Sequence, residues 1–201
     1  GVTLGRGSVR PWGDCPALEA WGGWLIEKPA RALAAGASHI LVLAEDGTVS
    51  ARGEGAAAVV PTDLAGIAAI AAGSQHSLAL GTNGTVQAWG DNSAGQSSVP
   101  AGLPLVRAIA AGGRHSLALT VEGVVIGWGD SVAATVPGNL GRARAIAAGD
   151  RHSLALLEDG SVVAWDDNSE GQLDVPAGVG RVNAIAAGGD HSLALHEPPA
   201  A

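Results

Sequence analysis

One phrase occurs five times in this chain, and its spacing restricts the fold more than any other feature. It reads Ala34-Ala35-Gly36-Ala37-Ser38-His39, Ala71-Ala72-Gly73-Ser74-Gln75-His76, Ala110-Ala111-Gly112-Gly113-Arg114-His115, Ala147-Ala148-Gly149-Asp150-Arg151-His152 and Ala186-Ala187-Gly188-Gly189-Asp190-His191. The histidines stand 37, 39, 37 and 39 residues apart. A period of this size marks a repeat architecture, in which each unit buries its apolar face against its neighbours. Residues present in every unit build the unit, so function is to be sought where the units differ.

Each unit holds the same parts. A small-residue run such as Ala108-Ile109-Ala110-Ala111-Gly112 comes first, followed by His-Ser-Leu-Ala-Leu with the alternation of a strand. Turns such as Thr82-Asn83-Gly84-Thr85 and Glu158-Asp159-Gly160-Ser161 come next. Their Asn-Gly and Asp-Gly pairs predict two-residue hairpin turns with positive φ. A further strand, as in Thr85-Val86-Gln87-Ala88-Trp89-Gly90, leads to a loop ending at Val-Pro. Alanine is the best helix former, yet these alanine runs are short, end in glycine and adjoin β-patterned segments, so they read as strands. Asn83-Gly84-Thr85 also matches a glycosylation acceptor, but its place in a turn gives it a structural reading.

Short antiparallel strands at this period predict an all-β fold, a β-propeller of five blades. Residues 1–201 form one domain in this reading, with residues 196–201, including His196, as a flexible tail. Arg6-Gly7-Ser8-Val9-Arg10-Pro11-Trp12-Gly13-Asp14 matches the second half of a unit, and Asn183 to Leu195 matches the first half. The two ends are therefore expected to pair in one blade and close the ring, which removes exposed sheet edges and predicts a monomer. The rival is an open run of blades that completes itself by oligomerising.

Composition narrows the function classes. With 47% hydrophobic residues the chain is too apolar to be disordered. No apolar run is long enough to span a bilayer, and no signal peptide is visible at Gly1. The start at Gly1 rather than Met points to a processed, trimmed or excised chain. A net charge of -8 with scattered Lys and Arg lacks the basic stripe that nucleic-acid binding needs. Neither nucleic acid nor membrane is an expected partner. The single Cys15 cannot form an internal disulfide.

The repeat histidines can be read as a ring of metal ligands or as structural residues. Recurrence favours structure, each His-Ser pair bonding loop backbone within its own blade, so no metal or cofactor is expected. Trp12, Trp89, Trp128 and Trp165 share one register, with Arg52 in the remaining unit, and are expected to pack between blades. Trp21 and Trp24 lie in an irregular connection, where they either cover the seam or form an exposed anchor for a partner. Arg114 and Arg151 hold equivalent positions on adjacent blades, either as a small cationic patch or as ordinary solvated charge. No motif for a metalloenzyme, a phosphate loop or a nucleophile elbow is present. Cys15 reads as a small apolar filler or a reactive thiol.

Ala-Ala-Gly-x-x-His-Ser-Leu-Ala-Leu and Trp89-Gly90-Asp91-Asn92-Ser93-Ala94-Gly95-Gln96 resemble the repeats of the regulator of chromosome condensation family. The resemblance covers nearly the whole chain and implies a propeller, commonly of seven blades. The short units ending in Val-Pro are most similar to a bacterial branch that includes the second type of β-lactamase inhibitory protein. That likeness implies a binding face made by the residue before each repeat His and by the third residue after Asp in the long loops. The positions are Ser38, Gln75, Arg114, Arg151 and Asp190, with Ala94 and Glu170. The aromatic residues that the inhibitor uses there are absent. The function expected is a non-catalytic module that binds another protein through one propeller rim, Trp21 and Trp24 joining the face if exposed. Its alternatives are an inhibitor of a secreted enzyme such as a β-lactamase, a small-ligand or catalytic site in the axial channel, and an isolated run of repeats, natural or engineered.

Overall fold

A computed structural model describes residues 8–9, 24–25, 28–130 and 134–196. Trp12, Cys15, Trp21 and residues 197–201 lie outside them, and Trp24 is described only through its backbone pairing. The described chain is all-β apart from one 3-10 turn at Ala56–Ala58. A two-residue pair, β1 (Ser8–Val9) and β2 (Trp24–Leu25), precedes five repeat units. Unit 1 is β3 (Ala30–Ala35), β4 (His39–Ala44) and β5 (Val49–Gly53). Unit 2 is β6 (Ile67–Ala72), β7 (His76–Gly81) and β8 (Val86–Gly90), and unit 3 is β9 (Val106–Ala111), β10 (His115–Thr120) and β11 (Val125–Gly129). Unit 4 is β12 (Ala143–Ala148), β13 (His152–Leu157) and β14 (Val162–Asp166), and unit 5 is β15 (Val182–Ala187) with β16 (Ser192–His196).

Units 1 to 4 are antiparallel meanders whose His strand pairs with the alanine-rich strand, and β15 and β16 of unit 5 pair in the same way. The alanine runs are therefore strands, as expected, and they take the innermost place. Their ends surround an axial depression of about 310 Å³, lined by Gly36, Gly73, Gly112, Gly149 and Gly188 among others. Bulk is excluded there. A Cβ on Gly112 would collide with the His115 ring and with the carbonyl of Gly149 in the next blade.

The core lies between blades, not within them. Leu41 and Leu43 of unit 1 pack against Ala79 and Trp89 of unit 2, and the same arrangement recurs for Leu78, Leu80, Ala118 and Trp128. Leu117, Leu119, Ala155 and Trp165 repeat it once more. Alternation along the His strand thus sends leucines to the following blade and alanines to the preceding one. The described tryptophans of this register pack between blades, as expected.

Two local expectations are corrected. The hairpin loops have three residues, not two: Ala44 N–H bonds the carbonyl of Thr48, and Gly47 N–H bonds that of Ala44. Only the glycine has positive φ (80° at Gly47, 81° at Gly84), because the Asp or Asn before it accepts from the Thr or Ser two residues on. This is a turn followed by a left-handed glycine bulge. His196, expected in a tail, is the last residue of β16 and stands opposite Val182. The hydrogen-bonded partner of β1 among the described residues is β2, with Ser8 opposite Leu25, and β16 is paired through β15 alone.

Candidate functional site

The repeat histidines lock blades together. His39 Nε2 lies 2.9 Å from Ser77 Oγ, His76 from Ser116 at 2.9 Å, His115 from Ser153 at 3.0 Å and His152 from Ser192 at 2.9 Å. Each serine belongs to the following blade, which corrects the expectation of bonding within one blade. The reason is reach: the imidazole points along the sheet stacking direction, where the next His-Ser pair begins. His39, His76, His115 and His152 are fully buried, whereas His191 is exposed. Burial, reinforced by neighbouring histidines, pushes His76 down to about 4, and burial lowers His115 to about 4 as well. These rings are structural.

The long loops are braced from inside. Asp91 accepts from Ser93 N–H, Ser93 Oγ and Gln96 Nε2, while Gln96 Oε1 accepts from Ala94 N–H. These bonds hold the Asp91 carboxyl below its ordinary range. Asp167, Ser169, Glu170 and Gln172 repeat the arrangement. The buried Gln96 also turns its carbonyl outward to the next blade, where it accepts from Ser116 Oγ and Trp128 Nε1, both at 2.9 Å. Ala57 does the same for Ser77 and Trp89. The motif thus fixes loop shape and leaves Ala94 and Glu170 on the loop tips.

A cleft of about 720 Å³ opens on this rim across units 2, 3 and 4. It brings together Gln75, Arg114 and Arg151 from the predicted face, all three exposed. Ser38 and Asp190 do not line it, since they sit on the flanking blades. Ala94 is half-buried and Glu170 exposed beside it. Arg114 Nη2 donates to Ser93 Oγ of the preceding loop at 3.3 Å, and Arg151 Nε stands 4.0 Å from Asp167.

The two arginines do not form a cationic patch. Asp91, Asp130, Asp150 and Asp167 line the same cleft, so its formal balance is negative. Asp150 leans across Gly113, where any Cβ would strike its carboxylate, and accepts from Ser74 Oγ at 3.2 Å. Sequence reasoning passed over Asp91, Asp130 and Asp167 as rim residues, although the signal was present: each follows the Trp-Gly or Trp-Asp pair that ends the outer strand. Among the described residues that line the axial depression, Ser74 and Asp150 supply the only polar side chains.

Residues 67–96, 106–132 and 143–172, which form units 2, 3 and 4, match the family model for the regulator of chromosome condensation (RCC1) repeat. Among curated proteins nothing matches the chain. Among solved structures it is similar to Prp20p from Saccharomyces cerevisiae, with 21% identity and a TM-score of 0.74 over 88% of this chain and 59% of that one. Human WBSCR16 is similar at 23% identity and a TM-score of 0.76, over 86% of this chain and 59% of that one. The ectodomain of the receptor kinase CR4 from Physcomitrella patens shares 25% identity at a TM-score of 0.70, over 86% of this chain and 48% of that one. The chain thus spans less than two thirds of the length of these structures. The matched segments make units 2, 3 and 4 RCC1 repeats, and the shared blade geometry makes the chain's fold that of the RCC1-type β-propellers.

Proposed function

We propose that this chain is a non-catalytic protein-interaction module, and that its partner docks on the rim carrying Ser38, Gln75, Arg114, Arg151 and Asp190. The observation that carries the reading is the cleft on units 2 to 4, where Gln75, Arg114 and Arg151 converge on loops already braced by their own hydrogen bonds. Such bracing lowers the ordering cost of binding. The alternation of guanidinium and carboxylate groups suits a protein surface carrying both signs, because each buried charge must find an opposite partner. Prp20p, a structural neighbour, has binding properties to Gsp1p and histones, and Kap60 has been seen bound to it. That a protein partner is the natural ligand of this scaffold agrees with those neighbours. The axial depression, with its alanine and glycine lining, offers little to recognise a small molecule.

The test is affinity capture from the native source with the wild-type chain and an Arg114→Asp/Arg151→Asp variant as baits, partners being identified by mass spectrometry. A protein captured by wild type and lost with the variant supports the rim. Equal recovery by both baits removes this face from consideration.

A further inference from the structure

Unit 3 departs from its neighbours at the end opposite the rim, where the chain enters each inner strand and turns from the His strand into the outer one. The residue before the inner strand is Pro29, Gly66, Arg142 or Arg181 in the other units and Leu105 in unit 3. The first residue of the hairpin loop is Glu45, Thr82 or Glu158 in units 1, 2 and 4 and Val121 in unit 3. The residue after the loop glycine is Thr48, Thr85 or Ser161 there and Val124 here. A single exposed apolar side chain is ordinary, but these three coincide. Leu105, Val121 and Val124 are 56%, 56% and 51% exposed. They share one corner: Val121 N–H donates to the Leu105 carbonyl, and the Val124 carbonyl accepts from Thr120 N–H across the same hairpin, both at 2.9 Å. The turn does not require the valines. In the other hairpins the Thr or Ser hydroxyl bonds the Asp or Asn, whereas here Thr120 Oγ1 accepts from Val124 N–H at 3.0 Å and the valine side chain takes no part.

We propose that this corner is a contact surface between two copies of the chain, related by a twofold axis through the unit 3 hairpin. Charge selects a second copy as the occupant. The whole chain carries -8, which keeps copies apart. At this end of units 3 and 4, however, Arg107, Arg142 and Arg144 stand against Glu122, Glu158 and Asp159, a formal sum of zero. Arg107 and Arg144 are tied to the carbonyls of Ala143 and Val182. Glu122 and Arg142 are exposed and flank the valines, the Arg142 Cβ standing 3.3 Å from the place of a Cβ on Gly123. Neither forms an ion pair within 4.0 Å among the described residues. In an isologous contact each patch meets its own copy, so Glu122 of one chain faces Arg142 of the other, twice, around the joined valines. Leu105, which covers Gly84 on the preceding hairpin, extends the apolar strip. A corner of this size falls below the ~1,200 Å² total of a stable interface, so the dimer is weak and reversible. The rim lies at the other end and stays open in the dimer.

Sedimentation velocity of the full chain, from about 10 to about 500 µM, reads the association. The expected result is a weight-average mass that climbs from one chain toward two across that range. Val121→Thr/Val124→Thr imports the residues with which the unit 2 hairpin already folds, and it should weaken association at least about tenfold. Glu122→Arg and Arg142→Glu, both on exposed side chains, should each weaken it to a similar extent, because like charges then face one another across the axis. The double variant Glu122→Arg/Arg142→Glu should restore wild-type association to within about threefold. An Arg114→Asp/Arg151→Asp chain should associate as wild type does; if it does not, the rim holds the copies together and this assignment is overturned. A single-chain mass at every concentration overturns it as well, as does association that the valine variant or the single charge reversals leave unchanged.

Discussion

The imidazole of His76 and the hydroxyl of Ser116 meet at 2.9 Å although they belong to different blades. Ser116 spends its one proton on the Gln96 carbonyl, so the ring must donate from Nε2. Nδ1 is left buried without a partner, in the space that a Cβ on Gly73 would take. Replacing Ser116 with Ala should cost about 1–3 kcal/mol, and His76→Ala about 2–5 kcal/mol because a cavity is added. The double variant should lose less than the sum by about 0.5–3 kcal/mol. Urea unfolding of the four proteins measures this, and strict additivity would show that the two residues do not interact.

Acid should loosen the fold through these rings. Burial lowers His39 and His152 and brings His76 and His115 to about 4, against an ordinary value of 6.5. Between those limits the unfolded chain binds protons that the folded chain refuses. Stability is therefore intact above pH 6.5 and falls as the pH drops toward 4, by about 1.4 kcal/mol per pH unit for each histidine that differs by a whole proton. Denaturant midpoints at pH 6.5, 5.5 and 4.5 should decline in that order, and a flat profile would contradict neutral buried rings.

Asp166 should be a site of repairable strain. It holds φ at 90° in a slot that Gly53, Gly90 and Gly129 fill in the other units, and it is the only described non-glycine residue with positive φ. Burial, aided by the charge of Asp130, pushes its carboxyl up to about 7. Asp166→Gly should stabilise the fold by about 1–2 kcal/mol through the backbone alone. The wild-type carboxyl favours folding while protonated and loses that contribution as the pH rises through 7, so the gain should be larger at pH 8 than at pH 5. Thermal melting at both pH values decides it, and a variant less stable than wild type would refute the strain.

Strand identity, blade number and the interblade place of Trp89, Trp128 and Trp165 were legible because repetition exposes a period that a single unit would hide. The hairpin loop length was not legible: Asp-Gly serves both loop types, and the choice rests on the Thr or Ser that follows and bonds the Asp. The partner of each His was also hidden, since it stands 38 to 40 residues away. Of the rim, Gln75, Arg114 and Arg151 were found by register, while Asp91, Asp130 and Asp167 were passed over because they lie 16 residues along the chain from those positions and only folding brings them into one cleft.

The carbonyls that Ala57 and Gln96 extend to the following unit, together with the His-Ser contacts, give successive units the same polar junction. Units are interchangeable parts. Duplicating a unit would reuse the same junction, His-Ser contact included. The loop tips, which take no share in that contact, are free to diversify at every step.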